Sequence, residues 1–222
     1  MNFTKKCIAH QSMKISNVLS KHIHAHAQPI VELREYDLSP STMVDFMGIT
    51  AGAAELRKNL VPLRLFTLPE TGTTLSAISH FYYYENGLSE REELRGVQKD
   101  NTEWKMYLNE ARPSMISQKS NIFVEAKELI DNFDLKGFKT PLINNNNNNN
   151  SAIYEYRRYQ LKLGYDTVPL FLKHYQSGLG SKLKNKSPFT DLVSVVYSDI
   201  GTLNQGKCVC VCMCVCVCLW LS

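Results

Sequence analysis

The first 31 residues contain no aspartate and no glutamate. They hold Lys5, Lys6, Lys14, Lys21 and four histidines, so the formal net charge of +4 owes much to this stretch, and the chain past Glu32 is close to neutral. A near-neutral body implies no nucleic-acid partner. Cysteine is also scarce: before residue 206 the only one is Cys7, which argues against a secreted disulfide scaffold. No apolar run reaches the roughly 20 residues of a transmembrane helix. Nor does the body contain a glycine-rich phosphate loop, a metal-ligand cluster or a nucleophile motif, so no catalytic residue, metal or cofactor is assigned. What the chain does have is enough apolar material for a core, with 44% hydrophobic and 21% charged residues over 222 positions.

The acid-free start has a pattern. Ile8, Ile15 and Leu19 fall on one side of a helix and Lys6, Lys14 and Lys21 on the other. A basic amphipathic helix without acids fits a mitochondrial targeting segment over residues 1–29; a disordered basic leader has the same composition, and the lack of any arginine before Arg34 counts for it.

Two segments resemble one another. VELREYDL at 31–38 and YEYRRYQL at 154–161 agree at every second position, Glu32, Arg34, Tyr36 and Leu38 matching Glu155, Arg157, Tyr159 and Leu161 at an offset of 123. Both alternate and read as strands, and their recurrence predicts a tandem duplication. Between them, residues 141–151 contain the run NNNNNNN, which has nothing apolar to bury and reads as a linker. In the first copy, residues 30–140, Ser39-Pro40 is expected to open a helix reaching about Lys58. Two extended runs follow, VPLRLFTL and LSAISHFYYYE, separated by a turn at Thr71-Gly72. A capping box of Ser89 and Glu92 then starts a second helix, broken near Asn101, and SQKSNIFVE closes the unit. The order β-α-β-β-α-β is the ferredoxin-like split βαβ unit.

These segments carry a family resemblance. VELREYDLSPSTM and YEYRRYQLKLG opening the repeats, HFYYY at 80–84, TEWKMYL at 102–108, ARPSMISQ at 111–118 and GTLNQ at 201–205 resemble the NipSnap family, over about residues 30–205. The resemblance implies an α+β fold of two tandem ferredoxin-like repeats, of the dimeric α+β barrel type, in a mitochondrial protein. The second repeat, residues 152–205, is expected to be incomplete: a strand at Ile153–Leu161, a helix near Thr167–Ser181 and a strand near Leu192–Ser198 reach GTLNQ, where a V-x-H-x-W strand is due. Gly206-Lys207 and an alternating Cys-Val run stand there instead.

That run has neither the chain reversals of a thiolate metal site nor the length of a membrane span. Val-Cys alternation is what the dinucleotide repeat GTGTGT encodes, and Gly-Lys is readable as GGT-AAG, a splice-donor sequence. Residues 206–222 are therefore expected to be translated intron, leaving the third strand, second helix and fourth strand of the second unit absent. The run's high β-propensity nevertheless suits it to pair with the exposed edge of the Leu192–Ser198 strand, every Val on one face and every Cys on the other.

The polar residues of interest are those on the strand faces. Glu32 and Arg34, with Tyr36, are expected inside the barrel, pairing across it with Glu155 and Arg157 beside Tyr159. Val31 and Leu33 should lie under the first repeat's helices, and Tyr154 and Tyr156 likewise in the second. His80, Tyr82 and Tyr84 share one strand face, as a polar pocket or as a hydrogen-bonded core. Trp104, Tyr107 and Leu108 read as the buried face of the second helix, and Arg91 and Arg95 as a solvated one. Two functions fit. The resemblance implies a non-catalytic mitochondrial interaction protein, with mitochondrial or autophagy proteins as partners and roles in quality control, mitophagy or vesicle traffic; homo-oligomers are compatible with it. The alternative is a small-molecule enzyme of the dimeric α+β barrel type, a cofactor-free oxygenase or a haem-related one.

Overall fold

The computed structural model describes residues 28–140, 152–185, 190–201 and 205–213, with backbone only at 152 and over 208–213. The leader, the asparagine run and the faces of the tail cysteines lie outside what is described. The first unit runs β1 (Ile30–Leu38), α1 (Met43–Gly52), α2 (Ala54–Leu60), β2 (Leu63–Thr67), β3 (Ala77–Tyr84), α3 (Gly87–Asp100), α4 (Thr102–Ala111) and β4 (Met115–Glu125). A short helix α5 (Lys127–Asn132), absent from the sequence reading, follows. The remainder is β5 (Ala152–Gln160), α6 (Thr167–Lys184), β6 (Thr190–Ile200) and β7 (Gln205–Met213). No helix among the described residues is long and apolar enough to cross a membrane.

Local chemistry moved some boundaries. Pro40 stands in a turn, with the Thr42 amide bonded to the Ser39 carbonyl, and the helix begins at Met43. The proposed capping box does not form, because α3 opens two residues before Ser89: Gly87 takes φ +66°, and the Asn86 amide donates to the Glu90 carboxylate at 2.7 Å. The break at Asn101 is real. Its Oδ1 accepts the Trp104 amide at 2.8 Å and caps α4.

All seven strands form one sheet in the order β2-β3-β1-β4-β6-β7-β5, with every pairing antiparallel. The first four follow the ferredoxin-like order. Read in the same direction, β6-β7-β5 follows the first three positions of that order, with β7 in the place of a third strand. The Cys-Val run thus stands where the normal third strand is missing and pairs with β6 as its β-propensity suggested: Gln205–Met213 also pairs residue for residue with β5. Among the described residues, β2 and β5 are the sheet's two edges.

The sheet curls toward one face, so that β5 reaches over β1 and β3. Tyr156 packs edge-on against Phe81, with ring centroids 5.7 Å apart, and Arg158 donates to Glu35 at 2.6 Å. Inside the curl, Val31, Leu33, Phe81, Tyr83, Phe123, Phe138 and Val196 belong to one hydrophobic cluster with Tyr154 and Tyr156 against it. Burying each such side chain contributes about 1.5–3 kcal/mol. Val31 and Leu33 are therefore buried as expected, but by the curl of the sheet instead of by helices. The helices α1 to α4 cover the opposite face, where Ile30, Tyr36, Leu38, Ile78, Tyr82 and Tyr84 meet Phe46, Trp104 and Tyr107. A third cluster seats α6, through Leu179, on Val195, Ala126 and Leu129.

Candidate functional site

Alternation along β1 and β3 puts Glu32, Arg34, Tyr36, His80, Tyr82 and Tyr84 on the helix-covered face. All are gathered there, outside the curl and not in a barrel interior. Five of them, all but Tyr84, line a cleft of about 560 Å³ between sheet and helices, closed on the other side by Trp104 and Tyr107 of α4.

Glu32 organises this face. It is fully buried, and its two oxygens accept six hydrogen bonds. Arg34 donates at 2.8 and 3.1 Å, Arg91 at 3.0 Å to each oxygen, Ser120 at 2.6 Å and Tyr84 Oη at 3.1 Å. Burial alone would raise its pKa; the bonds from Arg91, Arg34 and Ser120 outweigh that and hold it far below the usual carboxylate range. Burial works likewise to lower Arg34, and the Glu32 bonds prevail and raise it. Arg34 also lies over the Tyr82 ring, 4.7 Å from its centroid.

Beside this pair lies a second group. Arg57 of α2 is buried and donates to Tyr107 Oη at 2.7 Å, to His80 Nδ1 at 3.4 Å and to Tyr82 Oη at 3.5 Å. His80 is held neutral, first by burial and then by the charges of Arg57 and Arg34. With Nδ1 accepting from Arg57, its proton sits on Nε2, which has no hydrogen-bond partner among the described residues. Burial raises the Tyr36 and Tyr82 phenols. Around the cleft, Arg34, Arg57, Arg91, Arg95, Lys99, Lys105 and Arg112 face a single lining carboxylate, Glu32.

The second-copy residues do not join them. Glu155 and Arg157 pair with each other on β5 at 2.8 and 3.0 Å, each 44% exposed, and Tyr159 packs on Phe171 and Tyr175 of α6. The expected pairing across a barrel is thus replaced by two local pairs of the same shape, Arg34 with Glu32 and Arg157 with Glu155, because the i, i+2 spacing on one strand face already brings each guanidinium to its carboxylate. Arg91 is the other correction: it turns inward to Glu32, with its side chain only 13% exposed. Arg57, Arg91 and Ser120 were missed in the sequence. For Arg57 a signal existed, since it continues the buried stripe of Phe46 and Thr50 at i+11. Among the described residues, no group of three or more His, Cys, Asp or Glu could hold a metal.

The fold and the buried glutamate–arginine face define an α+β protein with a sheet in ferredoxin-like order and a cationic cleft beneath its helices. Residues 31–128, a little under half of the chain, match the NIPSNAP family model, and the chain carries a NIPSNAP domain there. Similar solved structures include a NipSnap family protein from Agrobacterium tumefaciens, at 24% identity over 46% of this chain and 89% of that one, with a TM-score of 0.41. A NIPSNAP-like domain protein from Burkholderia xenovorans is 27% identical over 44% of this chain and 84% of its own, with a TM-score of 0.39. A putative antibiotic biosynthesis monooxygenase from Nitrosomonas europaea is 10% identical over 45% of this chain and 92% of its own, with a TM-score of 0.36. No curated protein matches the chain.

Proposed function

We propose that this chain is a non-catalytic NipSnap protein of the mitochondrion, working by binding mitochondrial or autophagy proteins in quality control or vesicle traffic. The observation that carries the non-catalytic half is the state of the cleft's titratable groups. Glu32 is held charged and saturated with donors, His80 is held neutral, and the Tyr36 and Tyr82 phenols are pushed up. None of these four is poised to exchange a proton near neutral pH, which is what general acid–base chemistry requires. The basic, acid-free composition of residues 1–31 supports the mitochondrial half.

The size of the cleft favours the second reading, a small-molecule enzyme, because about 560 Å³ is room for a substrate. One pair of experiments separates the two. Residues 1–31 fused to a reporter should reach mitochondria, and Ser in place of Ile8, Ile15 and Leu19 should abolish this; a diffuse cytosolic signal from the unmodified fusion refutes the location. The full chain should capture mitochondrial or autophagy proteins while leaving haem and quinol-like substrates unchanged. Turnover lost in His80→Ala would establish the enzyme instead.

A further inference from the structure

The cleft beneath α1 to α4 is short of negative charge. Its one lining carboxylate, Glu32, is fully engaged by Arg34, Arg91, Ser120 and Tyr84. At the rim, Glu92 answers Arg91 at 2.7 Å and Arg95 at 3.7 Å. Among the described residues, Arg57 is answered by nothing charged. It is 5% exposed, and its hydrogen-bond partners, Tyr107, Tyr82 and the neutral His80, bring no negative charge. A guanidinium stays protonated wherever proteins fold, so it cannot escape burial by neutralising. Buried charges in native proteins are paired, and the partner of this one is missing from the chain as described. The shortage is one of acceptors in general, since the Nε2 of the adjacent His80 also lacks one.

The walls state the rest of the specificity. Tyr36, Tyr82, Trp104 and Tyr107 line the same cleft as Arg57, and its volume of about 560 Å³ lies in the range of small-molecule sites. Aromatic faces around a cation suit a planar apolar body carrying one acidic group, and the fork of a guanidinium matches a carboxylate in two parallel hydrogen bonds. We propose that this cleft binds a small aromatic carboxylate whose acidic group is the counter-charge of Arg57. The site stands whether or not the chain enters mitochondria or captures protein partners.

The test uses 2-naphthoate as probe and its neutral amide as control, with isothermal titration calorimetry of the full chain at low salt. Saturable binding with a Kd of about 1 mM or tighter is expected, with the amide at least about tenfold weaker. Arg57→Met should weaken 2-naphthoate by about tenfold or more. Because it removes an unanswered charge, it should also leave the Tm of the ligand-free protein unchanged or higher, while abolishing the Tm increase given by 2-naphthoate. If Arg57→Met unfolds, Arg57 is already satisfied and the proposal fails. The rim double variant Lys99→Glu/Lys105→Glu, at two exposed positions, is a second check: it should reduce affinity at low salt and less so at high salt. Absence of saturable heat, equal affinity for the amide, or full affinity in folded Arg57→Met or in the rim variant would each overturn the site.

Discussion

Replacing Lys207 by Met should make this protein more stable, although the change removes a charge from the middle of a strand. Lys207 lies on β7 inside the curl, 1% exposed, with its Nζ lacking a hydrogen-bond partner among the described residues. Burial first, and the charge of Arg158 second, push its pKa down from 10.5 to about 7, with Glu35 opposing weakly. Holding such an amine in place at pH 7 costs about 4 kcal/mol, from the fall of its pKa from 10.5 to about 7 at about 1.36 kcal/mol per pH unit, less the fraction already neutral. The rings of Phe123 and Tyr156, at 4.1 and 5.1 Å from Nζ, also favour the charged amine, so about 4 kcal/mol is the most the charge costs. Met is similar in length and carries no charge, so the expected net gain is about 2–3 kcal/mol at pH 7. The sign with pH follows from the lowered folded value. Between pH 7 and 10.5 the unfolded chain binds the proton and the folded one does not, so wild-type stability rises with pH across that window, by up to about 1.4 kcal/mol per unit. Below pH 7 the penalty is complete and flat; above 10.5 it is gone. Urea unfolding under reducing conditions at several pH values, wild type against Lys207→Met, reads this directly, and cysteine titration common to both cancels in the difference. A less stable variant at pH 7, or two curves parallel from pH 7 to 10, would refute the reasoning.

Glu32→Gln leaves Arg34 and Arg91 buried without their shared carboxylate, and a loss of about 3–5 kcal/mol is expected in urea unfolding; a loss under 1 kcal/mol would mean that the two arginines find other partners. In the wild type the same carboxylate, with its folded pKa depressed, adds stability above the unfolded carboxylate value, and this is lost as pH falls from about 4.5 downward. An acid-unfolding midpoint identical in wild type and Glu32→Gln would count against that role. Gly206→Ala places a Cβ 2.7 Å from Cε1 of Phe171 on α6, and a cost of about 1–3 kcal/mol is expected. An unchanged melting temperature would show that α6 yields freely there.

The strands were readable because period-two alternation survives whatever packs on either side. Which face meets the helices was not. Both faces of β1 are buried, one by Val31 and Leu33 in the curl and the other by Glu32 and Tyr36 beneath helices, so polarity alone pointed the wrong way. The charged side went under the helices because Glu32 finds its donors there, on α3 and β4, fifty-nine and eighty-eight residues away. Arg91 sits among glutamates and reads as solvated for the same reason: its partner is visible only in three dimensions. The place of β7 was half legible. Its β-propensity and the bare edge of the Leu192–Ser198 strand announced its pairing with β6, whereas its pairing with β5 is visible only in the sheet order.

The contact between Glu35 and Arg158 has a consequence for symmetry. Their separation is 123 residues, the same offset that relates the two matching segments, so each stands where the other would stand if the halves were exchanged. At such a point an assembly of two identical subunits must bring a side chain against its own copy, acid on acid or base on base. A single chain is free of that rule. With both matching segments on one chain, one position is acidic and its counterpart basic, so repulsion that a symmetric pair would have to tolerate becomes an attraction specific to the asymmetric whole.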